Sequence, residues 1–223
     1  MSANICQSYL SHALHKCSDL ASRFAEYKSS AVVLWQDNDY LTITSSDGFR
    51  MYEFRILLFD QGKASVALLR DRILSFNPAV CAAAARAFSK SLWINEVINA
   101  EYDDDQTTLS FISPSGLSVS LKANECSFKY DLRKFSEKFA ADNRPHVITL
   151  SAAQALVALP RPPKGKERDL THVRIEGNRW IVDDSSGELC AAEQVQGSPR
   201  VTLTLRYLRE ALEIAKEYSS DCI

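Results

Sequence analysis

The chain has 223 residues and a mass of 24.9 kDa, which suits one large domain or two of about 110 residues. Hydrophobic residues make up 46% and charged residues 24%, and seven glycines with seven prolines are about half the usual share, which excludes collagen-like and low-complexity sequence. The formal net charge of −2 argues against an obligate nucleic-acid binder, yet residues 129–179 hold 11 basic against 6 acidic side chains, densest at Arg161, Lys164, Lys166 and Arg168.

From Ile5 to Phe24 the apolar residues Leu10, Ala13, Leu14, Cys17, Leu20, Ala21 and Phe24 fall at three- and four-residue steps, which predicts a helix with one buried face. The opposite stripe carries His12, Lys16, Asp19 and Arg23. The period then changes. Ala31 to Trp35, Tyr40 to Thr44 and Phe49 to Ile56 are β-prone runs separated by the turn sequences 36–39 and 45–48, which predicts three antiparallel strands. Lys63 to Leu68 reads as a fourth strand. Asn77-Pro78 then starts a second helix, because asparagine caps and proline fits the first turn, where its missing N–H costs nothing.

That helix runs through the alanines 82–85 to Lys90, and three more β-prone runs follow at 93–102, 107–112 and 117–122. His146 to Leu150 is strand-like, and Ser151 caps a short helix ending near Leu159. Thr171 to Ile175, Arg179 to Val182 and Glu188 to Val195 are three further runs. Arg200 to Leu205 is a strand, and Arg206 to Tyr218 a helix with Tyr207, Leu208, Ala211, Leu212 and Ala215 on one face. The order helix, three strands, strand, helix thus occurs at 5–90 and again at 151–218, an architectural repeat with slight residue identity. The expected organisation is α+β, with a first domain at 1–128, a connecting segment at 129–145 and a second, incomplete domain at 146–223.

Chemistry-bearing motifs are sparse. Six cysteines include no Cys-x-x-Cys, and Cys17 and Cys81 fall in apolar helical patterns, as reduced core thiols do. His12 and His15 lie near Cys17 without a second ligand pair, so no metal site is expected, and neither is a cofactor. The triplet Asp103-Asp104-Asp105 reads as a solvated turn. Asp183, Asp184 and Glu188, the best carboxylate candidates for catalysis, have a hairpin turn as their simplest account. No nucleophile motif and no phosphate-binding glycine loop is present, so an enzyme is not expected. The apolar runs are far shorter than the about 20 residues that span a bilayer, and the first residues lack a basic stretch before an apolar core. A cytoplasmic protein without membrane association is the expectation.

Four segments carry a resemblance to a known family: Tyr40-Leu-Thr-Ile-Thr-Ser-Ser-Asp47, Leu117-Ser-Val-Ser-Leu-Lys-Ala-Asn-Glu-Cys-Ser-Phe128, Asp169-Leu-Thr-His-Val-Arg-Ile-Glu176 and Val201-Thr-Leu-Thr-Leu-Arg-Tyr-Leu-Arg-Glu-Ala-Leu212. In order and spacing they resemble the bacterial DNA polymerase sliding clamp, the β-subunit processivity factor. The last is similar to the family's strand leading into a helix with Tyr-Leu-x-x-Ala-Leu. Family members have three such domains and close as dimers, whereas the second domain here lacks its last three strands and leaves a sheet edge to be paired.

The resemblance implies clamp-like domains with antiparallel sheets outside and helices on the inner face, facing double-stranded DNA held without reading its sequence. The cations such a surface would present to phosphates are Lys16, Arg23, Arg70, Arg72, Arg86, Lys90, Arg206, Arg209 and Lys216 beside the helices, and Arg161, Lys164, Lys166 and Arg168 in the basic loop. The implied partners are a DNA polymerase or other DNA-processing protein, in a homo-oligomer or hetero-assembly. An adaptor or inhibitor that mimics a clamp and binds a partner through the open sheet edge is the alternative.

Overall fold

A computed structural model describes residues 2–22, 31–47, 50–60, 66–69, 72–89, 96–124, 147–162, 170–182, 185–188, 191–193 and 200–218. The chain divides into two compact units, Met1–Glu137 and Lys138–Ile223.

Unit 1 is built from one motif used twice. Strand β1 (Ser2–Cys6) and helix α1 (Gln7–Ser22) lead into β2 (Val32–Asp37), β3 (Tyr40–Ser46) and β4 (Met51–Phe59). Strand β5 (Ile73–Phe76) and helix α2 (Pro78–Ser89) lead into β6 (Val97–Asp103), β7 (Thr108–Ile112) and β8 (Ser118–Lys122). The eight strands form one antiparallel sheet in the order β5-β2-β3-β4-β1-β6-β7-β8. Each motif therefore lends its first strand to the other: β1 pairs with β6 and β5 with β2. The two edge strands are also tied, because Asn124 N–H donates to Ser75 O at 2.7 Å in an isolated antiparallel bridge.

Local sequence explains most of these elements. In β7, Leu109 and Phe111 point inward while their neighbours stay half-exposed, the alternation of a half-buried strand. The β2–β3 hairpin turns at Asn38, whose φ of 52° is a left-handed conformation that asparagine tolerates. Asn77 accepts Ala79 N–H at 2.8 Å on its side chain and Cys81 N–H on its carbonyl, capping α2 with Pro78 in the first turn.

Two features depart from the predicted elements. Ser2–Cys6 form a strand, with Ala3 and Ile5 inward, so the first helix begins at Gln7 and not at Ile5. A strand lies at Ile73–Phe76, and of the run predicted at 63–68 the described residues 66–68 are coil. Residues 66–69 are held as coil by two side chains: Gln36 Oε1 accepts Leu68 N–H at 2.7 Å and Leu69 N–H at 2.9 Å while its amide donates to Val66 O, and Asp39 Oδ1 accepts Val66 N–H at 3.2 Å. These N–H groups are thereby satisfied without a ladder.

The core of unit 1 lies where α1 packs across β2, β3 and β4 and α2 lies against α1 and β8. Leu10, Leu14, Phe76, Phe88 and Phe111 are all fully enclosed in it. Cys17 and Cys81 sit in the same core as free thiols. Burial pushes the Cys17 thiol far up and that of Cys81 from 9.0 to about 12. The folded chain thus keeps protons that the unfolded chain releases. Stability is therefore expected to be fully present below about pH 9 and to fall above it, by about 1.4 kcal/mol per pH unit for each thiol. Urea midpoints measured between pH 8 and 10 check this, and a flat profile would mean that solvent reaches both sulfurs.

Unit 2 repeats the plan in part. Strand β9 (Val147–Thr149), helix α3 (Ala152–Ala158), β10 (Leu170–Glu176), β11 (Arg179–Val182), β12 (Ser185–Glu188) and β13 (Ala191–Glu193) precede β14 (Arg200–Thr204) and helix α4 (Leu205–Tyr218). The pairings match those of unit 1. The β10–β11, β11–β12 and β10–β14 ladders correspond to β2–β3, β3–β4 and β2–β5. The long β4 pairs with both β3 and β1, and in unit 2 that job is split between β12 on β11 and β13 on β9. Among the described residues nothing corresponds to β6, β7 and β8, and β14 stands at a sheet edge. The predicted order of helix, three strands, strand, helix is present in both units, with the third strand of unit 2 in two pieces.

The core of unit 2 is small, centred on Ala152, Ala155, Ile175, Trp180, Val182 and Leu212. Ser151 caps α3, its side chain accepting Gln154 N–H, as its sequence predicts.

Candidate nucleic-acid interface

Helices α1 and α2 run antiparallel, locked by side chains of α1 that satisfy the last carbonyls of α2. Gln7 Nε2 donates to Phe88 O at 3.0 Å, and Ser11 Oγ donates to Ala85 O at 3.0 Å. The last four carbonyls of a helix have no intrahelical partners, so the Gln7 bond gives Phe88 O one, and the two bonds together tie α1 to α2.

The solvent side of α1 carries Tyr9, His15 and Asp19, with Ser8, His12 and Lys16 half-buried beside them. That of α2 carries Ala79, Val80 and Ala83, with Arg86 and Ser89 exposed in the last turn. A cationic side chain near a helix C-terminus also complements the helix dipole. Between the helices opens a trench of about 430 Å³ whose polar lining includes Ser8, Ser11, His12, His15, Arg86 and Ser89.

Of the cations singled out in the sequence, the structure brings Lys16 and Arg86 onto this helix pair. Arg72 is on no helix. It stands just ahead of β5 and pairs with Asp104 in the β6–β7 turn at 2.9 Å. That bond holds the Arg72 guanidinium above its usual range, and it also gives the acidic turn a partner. Arg23, Arg70, Lys90, Lys164, Lys166 and Arg168 lie outside the described residues.

In unit 2, Arg161 is exposed beyond the end of α3, and Arg206 and Lys216 are exposed at the two ends of α4. Arg209 has an internal task. Its Nη1 donates to Leu159 O at 2.9 Å, Leu156 O at 3.2 Å and Pro160 O at 3.4 Å, closing the C-terminal end of α3. The units solve one problem in opposite ways: α1 caps α2 in the first, and α4 caps α3 in the second. A cation spent on three carbonyls is not a diffuse phosphate contact.

The trench lining also includes Ser8, His12, His15 and Ser89, which the sequence reading did not single out as part of a candidate site. The signal was available for α1, where positions 8, 12 and 15 recur at helical spacing on the polar stripe. For α2 the run of alanines hid which face it turns outward. Among the described residues no group of His, Cys, Asp or Glu side chains could hold a metal ion, and no helix is long and apolar enough to cross a membrane.

No protein-family model matches the chain, and no curated protein matches its sequence. Solved structures do match. The DNA polymerase III beta subunit from Thermotoga maritima is similar with a TM-score of 0.67 at 12% identity, over 96% of this chain and 56% of that one. A putative DNA polymerase III beta subunit from Eubacterium rectale gives 0.66 at 11% identity, over 96% and 56%. The DNA polymerase sliding clamp from Bacillus subtilis gives 0.64 at 12% identity, over 96% and 55%. The chain thus spans little more than half the length of these proteins. With its twice-used βαβββ motif, its paired helices and these likenesses, the chain has the fold of the DNA polymerase III beta sliding clamp.

Proposed function

We propose that the chain is a sliding-clamp-like factor that associates with double-stranded DNA without sequence preference and tethers a DNA polymerase or another DNA-processing protein. The observation that carries this reading is the helix pair of unit 1, which carries Lys16 and Arg86 within a clamp fold. A surface of this kind suits a protein that must move along a duplex, because phosphate contacts carry no sequence information. On this reading the chain is not an enzyme and needs no cofactor. It works in the cytoplasm as part of a homo-oligomer or hetero-assembly. The basic loop Arg161, Lys164, Lys166 and Arg168 adds phosphate contacts.

The test is fluorescence anisotropy of a labelled duplex across a salt series. Affinity is expected to fall linearly in log–log form, with a slope of about −0.9 for each phosphate neutralised. Lys16→Glu with Arg86→Glu is expected to flatten the slope by about 2, and reversal at Lys164, Lys166 and Arg168 by about 3. Slopes unchanged by both sets would remove these surfaces from DNA. One observation favours a second reading, an adaptor that pairs through a sheet edge: β14 stands at such an edge. An adaptor would bind no duplex at any salt concentration.

A further inference from the structure

The repeat allows one sheet edge of unit 2 to be compared with its counterpart in unit 1, position by position. In unit 1, β5 pairs with β2 through Phe76↔Val32, Ser75↔Val33, Leu74↔Leu34 and Ile73↔Trp35. In unit 2, β14 pairs with β10 through Leu203↔Thr171, Thr202↔His172, Val201↔Val173 and Arg200↔Arg174. The two ladders match pair for pair. Each runs up to the residue just ahead of a helix, Asn77 before α2 and Thr204 before α4.

Three differences separate the two edges. Where unit 1 sets Ile73 beside Trp35, unit 2 sets Arg200 directly opposite Arg174 on the outer face, an arrangement in which like charges repel. Glu176 Oε1 lies 3.1 Å from Arg174 Nε, but among the described residues no carboxylate meets Arg200. On the same face His172 Nδ1 and Thr202 Oγ1 share a hydrogen bond of 2.8 Å. The second difference lies on the inner face. Val201 is 52% exposed where its counterpart Leu74 is 5% exposed, and Leu203 is half-buried where Phe76 is enclosed. Third, the edge of unit 1 takes a length of chain, because Asn124 N–H donates to Ser75 O. Thr202 is the counterpart of Ser75, and the matching register turns its N–H and C=O to the same side. Among the described residues no segment meets them there.

Unit 1 thus shows what this edge accepts, and unit 2 shows which side chains the incoming chain needs. Successive residues of a strand alternate between faces, so those beside Val201 and Leu203 have to be apolar and the one beside Arg200 a carboxylate. A nucleic acid has no amide backbone to continue the ladder and nothing apolar to cover Val201. We propose that β14 seats an extended acidic peptide of a partner protein, added as an antiparallel strand. Its backbone pairs at Thr202, and its aspartate or glutamate lies beside Arg200, with Arg174 adding charge from the strand behind. The pattern it selects, from N- to C-terminus, is apolar, any, apolar, acidic. Backbone bonds supply affinity in such strand addition, and the alternate side chains choose the partner. The seat goes beyond the DNA reading and stands whether or not the chain holds a duplex.

The probe is a fluorescent peptide in which valine alternates with threonine and aspartate, titrated with the full chain by anisotropy. Saturable binding is expected, weakened about tenfold or more in Arg200→Glu, where like charges meet. With lysine in place of aspartate the peptide should bind the unaltered chain poorly and regain affinity for Arg200→Glu. Methylating the backbone nitrogens of its threonines and aspartates should abolish binding. Thr202→Pro should do the same, because it removes an edge N–H at a place where a sheet tolerates proline. If Thr202→Pro alters the circular dichroism spectrum, the charge swap decides. No binding, equal affinity for Arg200→Glu, or equal affinity of the methylated peptide overturns the seat. A duplex that displaces the peptide and itself loses affinity in Arg200→Glu overturns it in favour of DNA. A solution mass twice that of the chain, reverting in Thr202→Pro, overturns it in favour of a second copy. Peptide binding without duplex binding in the salt series sinks the DNA reading and leaves the seat standing.

Discussion

Phe88→Ala is expected to lower the unfolding free energy of unit 1 by about 3–5 kcal/mol, a large part of what a domain of this size possesses. Phe88 is fully buried near the end of α2, and its ring meets Phe111 of β7 edge-on, with centroids 6.0 Å apart and planes at 87°. Truncation removes that contact and leaves a void between helix and sheet. The surrounding structure has little freedom to close it, because Gln7 holds the same turn through the Phe88 carbonyl. Urea denaturation gives the magnitude, and amide hydrogen exchange gives the place: β6 and β7 should lose protection while β10 and β11 do not. A loss below about 1 kcal/mol would mean that α2 is anchored elsewhere.

In unit 2 the largest expected effect comes from adding one methyl group, by Gly187→Ala. Gly187 of β12 lies opposite Trp180 of β11. A Cβ at this position would stand 2.5 Å from Nε1 and 2.6 Å from Cε2 and Cζ2 of the Trp180 indole, closer than side chains approach one another. The indole has to move, and Trp180 is the largest side chain in a small core. Overpacking of this kind costs about 1–3 kcal/mol. A shifted tryptophan emission and lost protection in β10 and β11 are the readouts. Gly187→Ala in a Trp180→Leu background should cost much less, because the smaller side chain vacates the space. If the two changes add independently, the clash is not the cause.

The sequence revealed the elements whose boundaries are set by local chemistry. Asn38 in a two-residue turn, the Asn77–Pro78 start of α2 and the Ser151 cap each act within a few residues, so they were legible. The parts that escaped depend on distant partners. β1 is five residues long and is a strand because β4 and β6 lie on either side of it. Residues 66–68 look β-prone, and the remote side chains of Gln36 and Asp39 hold them as coil. The same division holds for the candidate site. Lys16 and Arg86 were found from helical spacing, whereas the internal work of Arg209 depends on carbonyls 49 to 53 residues earlier in the chain. Asp104, the partner of Arg72, stands 32 residues after it.

The place of β1 in the sheet also bears on how unit 1 assembles. It is the first strand in sequence, yet it is the seam between the two halves, with β4 on one side and β6 on the other. A nascent chain emerging from a ribosome can complete the β2–β3–β4 hairpins early, but the second side of β1 stays open until Val97–Asp103 has been made. The last link, Asn124 to Ser75, comes later still. Contacts that span such lengths of chain slow the search for the native state, because loop-closure entropy is spent before the ladder returns it. Unit 1 is therefore expected to fold as one late, cooperative event, with its halves unable to mature separately.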